Sequence, residues 1–472
     1  MGICLMVTWE SNAQVSSSVH DIEDSLTIHN NTSWIIIDQI DLIGNRRTKP
    51  QIIYRELSLQ VGDTLTLEKA DSLLERNRNN IFNTNLFVSV KLSLVYLSPQ
   101  HSTLKINLEE RWYLFPGPIF ELSDRNFNEW VRTYNADFNR TNYGMRVVLE
   151  NLRGRKEKLD AFAQLGFTKK FGLSYQIPYL NRKQVTGLSF NFVYAQNKST
   201  ALRSDDHKLS FYESQEIALE RYLANVSLSK RVGIFDYQSL SLGFQQRSIE
   251  DSVALTNPRY FMTNKPTQKY FYLGYQYTRD TRDTHNYPLH GDILEVSLQQ
   301  NGLGLFNDLL QTQVGVRYIF FSDLKHRFYL SNSFKGLLSI QKNQPYANAQ
   351  ALGYGQNVLR GFELYVIDGQ GFLMNQNTLR YQVFSVQKKL NFIPIRQFQT
   401  VPIALYLTLY ADTGYVRDSN FTDFSNRFSN KFIYSWGTGI DIVSFYNLIV
   451  RLNYSVNSVG EGGFYFKLNS SL

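Results

Sequence analysis

Few side chains in this chain are placed to break or make bonds. The seven histidines are scattered and show no metal-ligand spacing. No Gly-x-Ser-x-Gly occurs, and the glycine pairs Gly302/Gly304, Gly353/Gly355 and Gly369/Gly371 fall in predicted loops, not in strand-to-helix turns. Asp205-Asp206-His207 reads as a solvated loop. No catalytic residue, metal ligand or cofactor is therefore expected. What remains is recognition chemistry. Arg360-Gly361-Phe362 sets a guanidinium beside a glycine and a ring, and Asp412-Thr413-Gly414 sets a carboxylate two residues before a glycine. A guanidinium and a carboxylate can form a bidentate, charge-assisted pair, which holds a segment in place without transforming a substrate.

The elements that must carry these groups are mostly strands. Of 472 residues, 14% are aromatic, with 30 Tyr and 33 Phe but 5 Trp, and Leu-rich helical blocks are absent. Lys plus Arg is 49 and Asp plus Glu is 41, so the formal charge is 49 − 41 = +8. No basic cluster lies on a predicted helix, so this excess suits anionic lipid headgroups better than nucleic acid. The lone cysteine, Cys4, excludes an intrachain disulfide. It lies in the apolar run Ile3 to Trp9, which Ser11-Asn12-Ala13-Gln14 follows. Residues 1–13 read as a signal peptide with a truncated start, ahead of a disordered end or a lipid anchor on Cys4. No run of about 18 apolar residues exists, which excludes helical membrane spans but not strand-built ones.

Residues 14–33 are polar and aperiodic, a linker. Residues 34–115 then form a compact α+β module in the order β-α-α-β-β: a strand over 35–40, a helix from Pro50 to about Leu57, a helix from Leu67 to Asn80, and strands at 86–95 and 104–108. From about Gly117 no helix is expected. Residues 116–472 instead show sixteen alternating segments, near 118–125, 143–152, 157–168, 170–178, 185–197, 210–231, 238–249, 268–280, 291–300, 309–322, 326–340, 372–386, 402–416, 431–444, 447–456 and 463–469. The sixth and tenth are long enough to conceal a turn.

Alternation gives each segment two faces. Ile403, Leu405, Leu407 and Leu409 alternate with Ala404, Tyr406, Thr408 and Tyr410, and Asp412 continues the second set. Leu448, Val450, Leu452, Tyr454 and Val456 oppose Ile449, Arg451, Asn453 and Ser455. Phe464, Phe466 and Leu468 oppose Tyr465, Lys467 and Asn469. A soluble β-sandwich would also alternate. The length and even number of the segments, and aromatic residues near their ends, favour a mainly β chain: a 16-stranded antiparallel transmembrane β-barrel behind one small α+β domain.

Four features in order resemble the Omp85 superfamily of barrel-assembly and protein-translocation proteins, of the surface antigen D15 type. The α+β module, with Gly44-Asn45, Val61-Gly62-Asp63 and Asn85 to Val90, resembles its POTRA (polypeptide-transport-associated) domain. Thr281-Arg282-Asp283 through Tyr287-Pro288-Leu289-His290-Gly291 is similar to its hairpin between strands eight and nine. Leu359-Arg360-Gly361-Phe362 matches the hydrophobic-Arg-Gly-aromatic motif of the loop between strands eleven and twelve, and Asp412-Thr413-Gly414 the Asp-x-Gly of strand thirteen. The resemblance spans about residues 34 to 469.

The resemblance implies that the loop over 341–371 folds back into the barrel lumen. A connection of about thirty residues is long unless functional, and Asp412 shares the non-lipid face with Tyr406 and Tyr410. Arg360–Asp412 is then the expected anchor, with Gly361, Phe362 and Gly414 around it. Family members commonly add an acid from strand twelve. Here that strand offers Thr378, Arg380 and Gln382 inward, so the network is expected to be weaker or rewired, with Arg380 repelling Arg360.

A second expected site is the seam between the first strand, with Pro118 and Phe120, and the last, with Gly463, Phe464 and Phe466. Prolines cannot donate there, and a loose seam leaves backbone groups for an incoming strand. The function implied is outer-membrane protein insertion, with the module in the periplasm. The implied partners are outer-membrane lipids, unfolded outer-membrane protein clients and accessory periplasmic or lipoprotein subunits. The alternatives are a two-partner-secretion pore, which usually carries two modules and a plug helix, and a passive porin, which predicts neither module nor motif loop.

Overall fold

The structure is a computed structural model. It describes residues 34–123, 130–131, 134–263, 265–341, 344–391, 399–419, 427–444 and 448–469. The signal-peptide and linker readings for 1–13 and 14–33 lie outside the described residues.

The N-terminal module opens with β1 (Trp34–Ile43), α1 (Pro50–Tyr54), β2 (Thr64–Thr66) and α2 (Leu67–Phe82), and closes with β3 (Phe87–Ser98) and β4 (His101–Glu110). Its sheet runs β2-β1-β4-β3, with β1 parallel to β4. Ile35 and Ile37 of β1, Ile52 and Ile53 of α1, Ile81 of α2 and Leu104 and Ile106 of β4 share one core. Each such burial contributes roughly 1.5–3 kcal/mol. Two expectations need correction. The order is β-α-β-α-β-β, because Thr64–Thr66 pairs antiparallel with Trp34–Ile36. Three residues are too few to show a period. The first helix also ends at Tyr54, before Leu57, although Leu57 stays in the core.

Beyond the module the chain runs through β5 (Leu114–Leu122), β6 (Thr141–Leu152), β7 (Glu157–Gly166), β8 (Thr168–Ile177) and β9 (Thr186–Asn197). A separate hairpin follows, β10 (Ser199–Asp205) with β11 (Lys208–Glu213). Then come β12 (Leu219–Val232), β13 (Asp236–Ile249), the short helix α3 (Asp251–Thr256), β14 (Thr267–Asp280), β15 (Gly291–Asn301), β16 (Gln311–Asp323) and β17 (Phe328–Ile340). The long loop holds the two small strands β18 (Gln350–Leu352) and β19 (Ile367–Asp368). The chain closes with β20 (Gly371–Lys389), β21 (Thr400–Arg417), β22 (Phe432–Ser444), β23 (Ile449–Asn457) and β24 (Gly462–Asn469).

Sixteen of these strands form one antiparallel sheet in sequence order, omitting β10, β11, β18 and β19. The sheet curls into a barrel. Odd residues of β21 such as Leu407 and Leu409 face out, while Tyr406, Tyr410 and Asp412 are buried inside. Phe464, Phe466 and Leu468 of β24 likewise face out, with Tyr465 inside. No described helix is long and apolar enough to cross a membrane, so crossing falls to the strands.

Three further readings change. The sixth segment does conceal a break, with β11 leaving the wall before β12 begins, whereas the tenth is one strand. The first barrel strand starts at Leu114, so Pro116 and Pro118 lie within it. A helix does occur past Gly117: α3 packs Val253 against Ile249, Tyr260 and Phe261, an apolar contact that a six-residue stretch does not advertise.

Candidate functional site

The loop between β17 and β20 enters the lumen and is held there by Arg360. Its Nε donates to Asp412 Oδ2 at 2.7 Å and its Nη2 to Asp412 Oδ1. Nη1 donates to Thr378 Oγ1 at 3.0 Å, and Nη2 also reaches the Asn377 carbonyl at 3.2 Å. The Tyr410 ring lies 3.9 Å from the guanidinium carbon. Gln376 Nε2 donates to Asp412 Oδ2 at 3.2 Å, and Asp412 is fully buried. Strand twelve of the barrel, β20, therefore contributes a hydroxyl, an amide and a carbonyl where an acid was sought. Arg380 does not turn toward Arg360. Its Nη1 donates to the Pro288 carbonyl at 3.1 Å and its guanidinium lies over Tyr287, which corrects the expected repulsion.

Gly361 has φ +84°, and a Cβ there would meet Ser435 Cβ at 3.1 Å, so the loop apex needs both the conformation and the space of glycine. Its N–H donates to Glu363 Oε2, and its carbonyl accepts from Asn457 Nδ2. Phe362 is buried against Tyr365 and Phe428. Gly414 lies beneath Leu352 and Leu359 of the loop. Over the loop sits the β10–β11 hairpin. His207 Nε2 accepts from the Phe428 N–H at 3.0 Å, so its Nδ1 carries the proton and donates to the Val366 carbonyl at 3.2 Å. Burial pushes this imidazole down to about 4, with Arg427 adding to the effect against Asp206 and the Val366 hydrogen bond.

The turn between β14 and β15 enters from the module side. Asp283 Oδ1 accepts from the Thr284 and Leu289 N–H groups and shapes it, and Gly291 begins β15 opposite Phe321. Tyr287, part of the hairpin motif but given no role there, reaches the strands on the far side of the turn. It packs on Tyr406 and donates to Asp441 Oδ2 at 2.9 Å. A cavity of about 800 Å³ lies in the lumen, lined by Arg360, Arg380, Asp441, Arg451, Tyr465 and Lys467 among others.

The module docks on this same end. Arg231 Nη1 and Nη2 donate to the two oxygens of Glu56 at 2.7 and 2.6 Å, with both side chains buried. Burial alone would raise the Glu56 carboxyl; the Arg231 hydrogen bonds and the charges of Lys156, Arg231 and Arg55 outweigh it and hold it below the usual range. Asn151 Nδ2 donates to Thr48 Oγ1. Asn83, at the end of α2, donates to the Asp283 carbonyl at 3.0 Å and accepts from the His285 N–H. No sequence signal pairs Glu56 with Arg231, since each belongs to an element that is complete locally.

The seam is the opposite kind of surface. Among the described residues no ladder joins β5 to β24. Tyr113 accepts from Glu150, and Ser123 donates to Arg140, so the odd residues of β5 direct their backbone groups to β6. Leu114, Pro116, Pro118, Phe120 and Leu122 therefore face the gap, and two of these lack an N–H. Asn457 donates to the Glu461 carbonyl, so Gly462, Phe464, Phe466 and Leu468 of β24 face the gap from the other side. Gly463 turns its backbone to β23, opposite Ser455.

Family models match most of the chain. Residues 35–111 match POTRA, described as a surface antigen variable number repeat, and residues 151–471 match the Omp85 superfamily domain. No curated protein matches the chain. Among solved structures it is similar to BamA from Haemophilus ducreyi lacking POTRA domains 1–3, at 15% identity and TM-score 0.53, covering 92% of this chain and 83% of that one. It is also similar to CdiB from Escherichia coli, at 10% identity and TM-score 0.51, covering 95% and 92%. These likenesses concern the fold. With a matched domain over two thirds of its length, a single POTRA module and a sixteen-stranded barrel, the chain belongs to the Omp85 superfamily.

Proposed function

We propose that the protein is a non-enzymatic assembly factor of the bacterial outer membrane, with its module in the periplasm, which templates client strands at the seam between β24 and β5. One observation carries this reading: among the described residues the first and last strands share no ladder, and they form the two edges of an otherwise fully laddered wall. Unpaired edges invite strand addition. Pro116 and Pro118 weaken closure by the barrel's own first strand, while the donor-bearing residues Gly462, Phe466 and Leu468 of the last strand face the gap. The outward apolar faces suit outer-membrane lipid, and the clients are unfolded outer-membrane proteins. The module's free β3 edge offers accessory periplasmic or lipoprotein subunits a place to pair.

A secretion pore is less well supported, because Tyr287 from one end and the Arg360 loop from the other both reach into the lumen. A passive porin has no use for the docked module. The test is a cysteine pair across β5 and β24. Oxidation is expected to stop insertion of a radiolabelled outer-membrane protein into proteoliposomes while the barrel stays folded; undiminished insertion with the seam locked overturns the proposal. In cells, depletion is expected to lower many outer-membrane proteins, whereas loss of a single secreted protein favours the pore.

A further inference from the structure

The lumen face beside the seam carries an unbalanced row of charge. Asp441 of β22 pairs with Arg451 of β23, and Arg451 pairs with Lys467 of β24, so three charged side chains stand side by side across the last three strands. Asp441 already accepts from Tyr287 and faces Arg451 Nε at 3.5 Å. Lys467 Nζ has a carboxylate, Glu363, at 3.7 Å, beyond hydrogen-bond distance. Arg451 and Lys467 are like charges directly opposite each other, an arrangement that costs stability in a sheet. The row therefore ends in a cation on the strand that, among the described residues, has no ladder on its outer side. The barrel's own first strand does not complete it: the lumen-facing parity of β5 carries Phe115, Gly117 and Ile119, with Glu121 only at its far end. The lumen cavity, lined by Arg380, Arg451 and Lys467, leaves room beside the row.

Building on the seam reading, we propose that Lys467, backed by Arg451, is a specificity residue that favours added strands carrying a carboxylate on the lumen side, level with Lys467. A strand added antiparallel to β24 turns alternate side chains inward, so one acidic residue at that level completes the sequence Asp441, Arg451, Lys467, carboxylate. The new ion pair relieves the like-charge opposition and places the carboxylate against a half-exposed ammonium.

The test uses the full chain in phosphatidylethanolamine and phosphatidylglycerol proteoliposomes, with Cys4→Ser and Phe466→Cys. Twelve-residue peptides alternate Leu or Val with Thr and are C-terminally amidated. Each carries one cysteine to pair with position 466, and the preceding residue, level with Lys467 in an antiparallel strand, is Glu, Gln or Lys. Disulfide capture in a glutathione buffer is measured by competition. Capture of the Glu peptide is expected to exceed that of the Gln peptide by about threefold to tenfold, with Lys lowest, and added salt should narrow the gap. The preference is expected to vanish in Lys467→Gln and to survive in Glu363→Gln, which breaks the loop contact but keeps the cation. Equal capture of Glu, Gln and Lys peptides overturns the proposal and leaves strand addition intact. A preference that persists in Lys467→Gln overturns the assignment to that residue. Failure to capture any peptide overturns the seam reading and this proposal with it.

Discussion

The wall around β20 and β21 and the seam between β24 and β5 are built from the same alternating residues, yet they differ in every polar group. β20 pairs with β21 along its whole length, from Gly371 to Lys389, and a lumen loop is clamped onto the pair through Arg360 and Asp412. Among the described residues β24 and β5 share no ladder, and prolines remove donors on one side. The difference teaches that stability is concentrated away from the place where the sheet is left unfinished. A barrel that templates strands needs one edge without a partner, and a rigid remainder keeps that edge from spreading.

The strongest way to break this contrast is at the clamp. Asp412→Ala leaves the Arg360 guanidinium without its carboxylate inside the lumen. The expected cost is about 3–5 kcal/mol, read as a clear fall in the temperature at which the barrel loses heat resistance on gels. An unchanged transition would mean that the loop contributes nothing to the wall. Next is the module latch. Glu56→Ala strands Arg231 at the module–barrel contact and is expected to release the module by a similar order of free energy. Spin-label distances between module and barrel should broaden while barrel heat resistance holds. The latch also has a sign with pH. Glu56 is held below its ordinary value, so its contribution is present above about pH 4.5 and is lost as pH falls through its lowered value.

A smaller effect is expected at the cap. His207 is held neutral, so an opened cap binds the proton more readily than a closed one. Closure is therefore complete above about pH 6.5 and weakens as pH falls toward 4, by about 1–3 kcal/mol. Hydrogen exchange at the Phe428 and Val366 amides, corrected for intrinsic rates, is expected to rise over that window in the native protein. His207→Gln should flatten the profile; an unaltered profile in that variant would assign the change elsewhere. The smallest effect sharpens the seam itself. Pro116→Val with Pro118→Val restores two donors, each worth about 1 kcal/mol if paired. Slower exchange at Phe464 and Phe466 would show the seam tightening.

Much of this was legible in the residues. Strand positions followed from two-residue alternation because lipid and lumen demand opposite side chains, and the inward parity of Asp412 placed it on the face where Arg360 reaches it. The role of Tyr287 was not legible, since a turn residue has no period and its partner lies on a strand six places around the wall. The strand Thr64–Thr66, the split before β12 and the helix Asp251–Thr256 were hidden by brevity. The Glu56–Arg231 latch joins residues 175 positions apart in two units that are each complete on their own.

Alternation alone determined that this chain has a lipid-facing and a lumen-facing surface, a module ahead of them, and charged residues on the inner side. Only the folded arrangement decided which inner charges meet, how the module seats on the turns, and that β5 and β24 form no ladder among the described residues. The reason is physical: side-chain direction is set by each residue's own backbone, whereas pairing across the lumen, the interface and the seam depends on how sixteen strands curl together.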